Sequence, residues 1–145
     1  MSNSSIEEEI KTNGRLVYSN RGRSMLPLIR EGKDAVVLVR PQGRLRKYDV
    51  PLYKPTPFEG KYVLHRIIKV RDNDYVIRGD NCISKEVGIK DEDIVGVLAS
   101  VLRSGGKELK TSDFGYRVYS HVWVWLFPFR YVWSRFKSVV RRIVK

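Results

Sequence analysis

Residues 62–78 read YVLHRIIKVRDNDYVIR, two runs of aromatic and β-branched residues on either side of the polar triplet Asp72-Asn73-Asp74. Runs of this kind predict short strands, and the triplet predicts the turn of the hairpin that joins them. Similar runs occupy residues 16–18, 35–39, 50–53 and 94–102. Because the runs are short and regularly interrupted, they predict a mainly β fold, either a compact, partly closed antiparallel β-barrel or a pair of packed sheets.

Three prolines, Pro51, Pro55 and Pro57, lie in the middle of this β region. Proline has no amide hydrogen to donate to a neighbouring strand, and it is therefore largely confined to strand edges and loops. We expect this stretch to form an edge strand or an irregular loop.

The two ends of the chain are predicted to be helical. Ile6 and Ile10 lie one helical turn apart, which predicts a short amphipathic helix over residues 5–12. After Ser104-Gly105-Gly106 the composition changes, and a second amphipathic helix is predicted near the C-terminus. We therefore expect a β domain with its N-terminal helix over residues 1–106, followed by a basic, aromatic segment over residues 107–145.

The composition limits the classes of partner and site. The chain has 28 lysine and arginine residues against 16 aspartate and glutamate residues, a formal net charge of +12 that predicts an anionic partner. No recognisable DNA- or RNA-binding signature accompanies the charge, so nucleic acid is not the partner expected. With one cysteine, Cys82, and two histidines, the chain has almost no material for a zinc site or a disulfide framework. No metal or cofactor is expected.

The C-terminal segment concentrates the positive charge and the tryptophans. From Arg117 onward there is no acidic residue, while arginine and lysine recur to the last residue. Trp133, Phe136, Val140 and Ile143 recur at helical spacing, a pattern that with flanking basic residues is typical of a helix lying on a membrane surface. The residues expected to contact an anionic membrane are Trp123, Trp125, Trp133, Phe136, Arg141 and Arg142. The alternative is a terminal helix that packs its apolar stripe on the β domain, and no apolar run reaches the length needed to span a bilayer.

Three short stretches carry groups suited to catalysis: Gly22 to Pro27, Leu64-His65-Arg66, and Arg78 to Asn81. Together they supply a hydroxyl, an imidazole and a carboxylate, the set required for a base-activated serine nucleophile. A neutral imidazole within hydrogen-bond reach takes the hydroxyl proton during attack, and a carboxylate fixes the tautomer of the ring. Taken singly, each stretch also has an ordinary structural explanation: a turn before a proline, a core histidine and a hairpin turn.

The order and spacing of these stretches resemble the signal peptidase I family of serine proteases, in particular its ER and archaeal-type branch. That family carries Ser-Met-x-Pro, then a basic residue at the end of a strand, then Gly-Asp-Asn. Here the corresponding positions are Ser24 to Pro27, His65, and Gly79 to Asn81. The bacterial branch uses lysine as the base, whereas His65-Arg66 matches the ER and archaeal branch. The resemblance covers Arg21 to Val101, and it extends more distantly to self-cleaving repressors of the LexA type, which use lysine.

The resemblance implies the family's β fold and cleavage of a peptide bond through an acyl-enzyme. Ser24 would be the nucleophile and His65 the general base. Asp80 would be the carboxylate that supports His65. Glu86, six positions after Asp80, is the second candidate for that role, and the sequence leaves the choice open.

The resemblance also implies how a substrate would bind. It would lie extended beside the nucleophile, with small side chains at the first and third positions before the cut, as in a signal or leader peptide. Gly22, two positions before the nucleophile, would let the backbone approach the substrate carbonyl, where the amide of Ser24 would donate to the oxyanion. Met25 and Leu26 would line shallow apolar pockets.

The chain departs from the family at its start. Family members normally carry a membrane anchor ahead of the serine motif, and no apolar run precedes Ser24 here. The first residues also lack the pattern of a secretory signal, so a peripheral membrane location on the cytoplasmic side is expected. A non-catalytic peptide- or membrane-binding module on the same fold is the alternative function.

Overall fold

The computed structural model describes residues 3–144 as helices at both ends of a β region. The helices are α1 (Asn3–Asn13), α2 (Phe114–Trp125) and α3 (Phe127–Val144), and a 3-10 turn covers Asp91–Asp93. The strands are β1 (Arg15–Tyr18), β2 (Ala35–Val39), β3 (Pro51–Tyr53), β4 (Val63–Leu64), β5 (Arg66–Val70), β6 (Tyr75–Arg78), β7 (Glu86–Ile89), β8 (Ile94–Leu102) and β9 (Glu108–Lys110). The predicted mainly β fold and its N-terminal helix are confirmed, and the C-terminal segment contains two helices.

The strands form two antiparallel sheets. Sheet A has the order β1-β2-β8-β3-β4, with β9 pairing the end of β8, and sheet B has the order β5-β6-β7. Within residues 3–144 neither sheet closes on itself. Of the two predicted arrangements, the pair of sheets is therefore the one observed.

The chain passes from one sheet to the other at His65. β4 pairs with β3 in sheet A, β5 pairs with β6 in sheet B, and His65 lies between them. The prediction of one continuous strand over residues 62–70 is therefore wrong at this position. The break arises because Leu64 belongs to the core of sheet A, whereas Ile67 belongs to the core of sheet B.

Two hydrophobic clusters hold these elements in place. In the first, Ile6 and Ile10 of α1 are buried together with Val36, Leu38 and Leu98 of sheet A. The second is centred on sheet B, and its buried members are Leu45, Tyr53, Ile67, Tyr75, Ile77 and Ile89. Full burial of one such side chain stabilises the fold by about 1.5–3 kcal/mol, so the two clusters fix the strands on which the candidate site is built.

Two details of the strand prediction need correction. β3 begins at Pro51 but lies between β8 and β4 rather than at an edge. Proline is tolerated there because it is the first residue of the strand, and the pairing of β3 with β4 begins only at Leu52. β7 and β9 have few consecutive apolar residues, and for that reason the sequence pattern does not predict them.

The C-terminal segment is only partly separate from the β domain. The expected division at residue 106 falls inside the hairpin that joins β8 to β9. α2 then packs back on the sheets, where Tyr116 and Ser120 are buried, whereas α3 has no buried residue. None of the helices in the described part of the chain has the length and apolar character needed to cross a membrane.

Candidate active site

The three motif stretches meet around Gly79. A Cβ atom at Gly79 would lie 2.7 Å from the carbonyl oxygen of Ser24 and 2.9 Å from Cδ2 of His65. The Ser24 carbonyl oxygen and the His65 ring therefore both lie against the point that a Cβ of residue 79 would occupy. The loop is tied to the serine turn because the amide of Asn81 donates to the Ser24 carbonyl at 2.8 Å. Only glycine fits at position 79, since any side chain would push the serine turn or the imidazole ring aside.

Ser24 lies in a turn between β1 and β2 and is half-buried. The next residue, Met25, is fully buried, and its sulfur accepts a hydrogen bond from the amide of Asp80 at 3.4 Å. Met25 therefore anchors the turn in the core, contrary to the expectation that it lines a substrate pocket, while Leu26 is half-buried. Gly22 has a φ of 95° and open space where a Cβ would be, a backbone conformation that favours glycine.

Neighbouring groups contact the imidazole of His65 on two of its edges. Its Nδ1 lies 3.4 Å from the Tyr53 hydroxyl and 3.8 Å from Oε1 of Glu86. The Tyr53 hydroxyl donates to the same Glu86 oxygen at 2.7 Å. Cδ2, on the opposite edge of the ring, faces Gly79. The acidic residue beside Nδ1 is Glu86.

Burial controls the protonation of the site. Removal of His65 from solvent lowers the pKa of its imidazole below 6.5, although the negative charges of Glu86 and Asp80 act in the opposite direction. The ring is therefore neutral at neutral pH and able to accept a proton. Burial also raises the pKa of the Cys82 thiol, whose sulfur would lie 2.8 Å from a Cβ at Gly79. Cys82 is protonated under the same conditions and does not compete as a nucleophile.

The carboxylate of Asp80 is engaged away from His65. Arg66 donates to it through Nε at 2.8 Å and Nη2 at 2.9 Å, and the Tyr119 hydroxyl donates at 2.8 Å. Arg66 is fully buried, and its third nitrogen donates to the Tyr48 carbonyl and to Ser120 of α2. The family resemblance implies that Asp80 supports His65 directly, but its carboxylate is bound by Arg66 and Tyr119, and its charge acts on the imidazole without a hydrogen bond to it.

The C-terminal helices also hold this loop. The carbonyl oxygen of Asp80 accepts hydrogen bonds from Nε1 of Trp123 at 2.8 Å and from Nη1 of Arg130 at 2.9 Å. Trp123 also stacks on Tyr119, with ring centroids 5.8 Å apart. Trp123, expected to contact a membrane, is instead part of the site's support. Of the other residues in that expectation, Trp125, Trp133 and Phe136 are exposed, and Arg141 and Arg142 line a cavity beside the loop.

An open cleft lies between the chain segments that precede the serine and the histidine. Its volume is about 750 Å³, and its walls are residues 17–22 and residues 60–62, with Ile6 at one side. The first wall continues along the chain to Ser24, and the second continues through β4 to His65. β1 and β4 are the terminal strands of sheet A, so both walls adjoin a strand edge.

The sequence pattern gives no signal for several residues that shape the site. Tyr53 is part of a short apolar strand, and Tyr119 and Arg130 lie far from the motifs along the chain. Only Arg66 is adjacent to a motif residue. Among the described residues, no group of three or more His, Cys, Asp and Glu side chains is arranged to hold a metal ion.

Comparison with protein families, curated proteins and solved structures finds no match to this chain. The resemblance to signal peptidases therefore rests on the sequence motifs alone.

The Arg66–Asp80 pair predicts a large stability effect. Asp80→Asn leaves a buried guanidinium without its anion, which costs about 3–5 kcal/mol. The matched control is Asp74→Asn, since Asp74 pairs in the same bidentate way with Arg71 at the surface. That change should cost less than about 1 kcal/mol. Urea unfolding followed by tryptophan fluorescence measures both, and similar small losses would contradict a structural role for the buried pair.

The close approach at Gly79 predicts a second effect. Gly79→Ala places a methyl group against the Ser24 carbonyl, the Cys82 sulfur and the His65 ring, and such overpacking costs about 1–3 kcal/mol. Gly105→Ala is the control, because a Cβ there meets no atom within 4 Å. Its free energy of unfolding should change by less than about 0.5 kcal/mol. Equal stability of the two variants in urea would refute the tight contact.

Proposed function

We propose that this chain is a serine endopeptidase that cleaves a signal or leader peptide from a precursor. Ser24 is the nucleophile, His65 the general base, and Glu86 the acid that supports the base. The proposal rests chiefly on the meeting of the three motifs at Gly79, where the Ser24 carbonyl and Cδ2 of His65 lie against the same point, with Glu86 beside Nδ1. A serine hydroxyl needs such a base, because its own proton is held too tightly for attack at neutral pH.

The reaction begins with attack of the Ser24 hydroxyl on the substrate carbonyl. His65 takes the hydroxyl proton and then returns it to the leaving amine, which leaves an acyl-enzyme for water to hydrolyse. Burial keeps the imidazole neutral before attack, so the base is ready at neutral pH. Once the ring is protonated, the Glu86 carboxylate 3.8 Å from Nδ1 stabilises the imidazolium.

Tyr53 has a positioning role in this mechanism. It donates its hydroxyl hydrogen to Glu86, so the hydroxyl oxygen is left to accept from an Nδ1–H of His65. This arrangement favours the tautomer that carries its proton on Nδ1. Nε2 is then the ring nitrogen with a free lone pair to accept the Ser24 proton.

The cleft supports an extended peptide as the substrate. Its walls adjoin the terminal strands of sheet A, where a peptide backbone can pair as an added strand. Gly22 lines the same cleft and has no side chain to block the substrate carbonyl. The amide of Ser24 would donate to the oxyanion that forms there. Small substrate side chains at the first and third positions before the cut would allow this close approach.

Loss of either catalytic group should abolish peptide cleavage. His65→Gln and Ser24→Ala remove the base and the nucleophile, and each should lower kcat/KM by about a hundredfold or more. His121→Gln and Ser104→Ala are matched controls at exposed positions and should retain activity. The substrate is a synthetic peptide with alanine at the first and third positions before the cut, and mass spectrometry locates the products. Undiminished cleavage by the His65 or Ser24 variant would refute the mechanism, and binding without cleavage by the unaltered protein would favour a binding module.

The environment of His65 predicts the pH dependence of the reaction. Protonated imidazole cannot accept the Ser24 proton, so kcat/KM should fall as pH drops through the pKa of His65. Because that pKa is lowered by burial, the midpoint of the acidic limb should lie below 6.5. Glu86→Gln removes a charge that favours the imidazolium and should move the midpoint to still lower pH. Glu92→Gln, at an exposed position, is the control. A midpoint above 6.5, or one that Glu86→Gln leaves unmoved, would contradict the assignment.

A further inference from the structure

α3 carries five apolar residues on a side that nothing in the described chain covers. These residues are spaced three or four apart and share one face of the helix: Phe129, Val132, Phe136, Val140 and Ile143. We call them the docking stripe. All five are exposed, with Phe136 at 56% and Ile143 at 77% of full exposure. A helix that packs on a globular core buries such a stripe, so α3 has the opposite orientation.

The side of α3 turned towards the β domain carries basic and aromatic side chains. Arg130 reaches the Asp80 carbonyl, and Lys137 and Arg141 lie seven and eleven positions further on, close to the same face. They line a cavity of about 620 Å³ between α3 and the loop that follows Asp80, together with Tyr131 and Trp133. Since this side faces the protein, the docking stripe faces outward.

The positive charge around the stripe favours an anionic partner surface over a second copy of this chain. No acidic residue follows Asp113, whereas cationic side chains recur throughout α3. Arg135 and Lys137 are the chain neighbours of Phe136 and project about 100° to either side of it around the helix. A second copy of the chain would bring two cationic helices together, and like charges would oppose that contact. An anionic leaflet has negatively charged headgroups that attract these side chains. Beneath the headgroups, its acyl chains can accommodate the apolar side chains of the stripe.

We propose that α3 docks on an anionic lipid surface through this stripe, with Arg135 at the level of the phosphates. This interaction goes beyond the proposed peptidase activity and does not depend on it. The contact set also differs from the one that the sequence predicts, because Trp123 faces the Asp80 loop and Arg141 faces the cavity.

Docking in this orientation has a consequence for the serine site. Trp123 precedes α3 in the chain and Arg130 lies in its first turn, and both donate to the Asp80 carbonyl. The loop that carries Gly79 is therefore held against the base of the docked helix. A substrate that emerges from the same membrane surface would meet Ser24 without a long excursion from the lipid.

The decisive comparison is Phe136→Ala against Phe114→Ala. Both phenylalanines are exposed, Phe114 at 82%, but only Phe136 belongs to the stripe. The full chain is sedimented with vesicles of phosphatidylglycerol and phosphatidylcholine, and with phosphatidylcholine vesicles alone. We expect Phe136→Ala to bind the anionic vesicles about tenfold more weakly than the unaltered chain, and Phe114→Ala to bind as the unaltered chain does. Equal binding by the two variants would overturn the proposal.

The electrostatic part is tested with Arg135→Gln and with salt. Removal of one cation near an anionic leaflet should weaken binding about fivefold, and added salt should remove most of the preference for phosphatidylglycerol. Equal binding to both vesicle types would overturn the assignment of an anionic surface. A lipid-free dimer that Phe136→Ala dissociates, measured by sedimentation velocity, would assign the stripe to a second copy instead.

Two further measurements separate docking from catalysis and define the depth. Ser24→Ala should bind vesicles as the unaltered chain does, so a failed peptidase assay leaves the docking result intact. In single-tryptophan variants, brominated lipid should quench Trp133, which is 57% exposed beside the stripe, and should leave Trp123 largely unquenched. Quenching of Trp123 alone would refute the orientation.

Discussion

Arg66 and Asp80 form a bidentate ion pair that is closed to solvent, with nitrogen–oxygen distances of 2.8 and 2.9 Å. Arg66 follows His65 in the chain, and Asp80 follows Gly79. The ion pair therefore holds His65 close to Gly79. Each charge would be costly to bury alone, and each compensates for the burial of the other. The remaining donors of Arg66 reach Tyr48 and Ser120, which brings α2 into the same network. The positions of the imidazole, the glycine loop and the C-terminal helices therefore all depend on this one interaction.

The two acidic residues near the serine have separate tasks. Asp80 is buried and fully engaged by Arg66 and Tyr119, whereas Glu86 lies nearer the surface beside Nδ1 of His65. A carboxylate already bound by a guanidinium is a poor partner for an imidazole, because its lone pairs are occupied. In the proposed mechanism this division leaves Glu86 and Tyr53 to set the tautomer of the imidazole, and Asp80 to hold the loop that carries Gly79.

Much of the fold follows from local pattern, since the runs that form β2, β5, β6 and β8 are apolar over most of their length and are separated by turn residues. The sequence pattern does not predict features that depend on packing between elements distant in the chain. It does not show that the strand breaks at His65, because that break depends on which core receives Leu64 and which receives Ile67. It does not show β7 or β9, whose pairing comes from their neighbours.

The candidate site divides in the same way. The motifs identify Ser24 and His65 by order and spacing, because the chemistry requires these residue types. They cannot choose between Asp80 and Glu86, since both are acidic and six positions apart. That choice depends on Arg66 and Tyr119, which reach Asp80 from another strand and from a helix. The role of Trp123 is hidden for the same reason: composition assigns it to a lipid surface, whereas its indole nitrogen finds a carbonyl on the loop.

His65 is also the residue that connects the two sheets, since β4 belongs to sheet A and β5 to sheet B. Any sliding or rotation of one sheet against the other must be absorbed by the backbone torsions of this residue. The imidazole would turn with them, away from or towards the serine. In the proposed mechanism, the orientation of the base would therefore depend on how the two hydrophobic cores pack against each other. A distant substitution that changes this packing would change the orientation of His65 without contacting it.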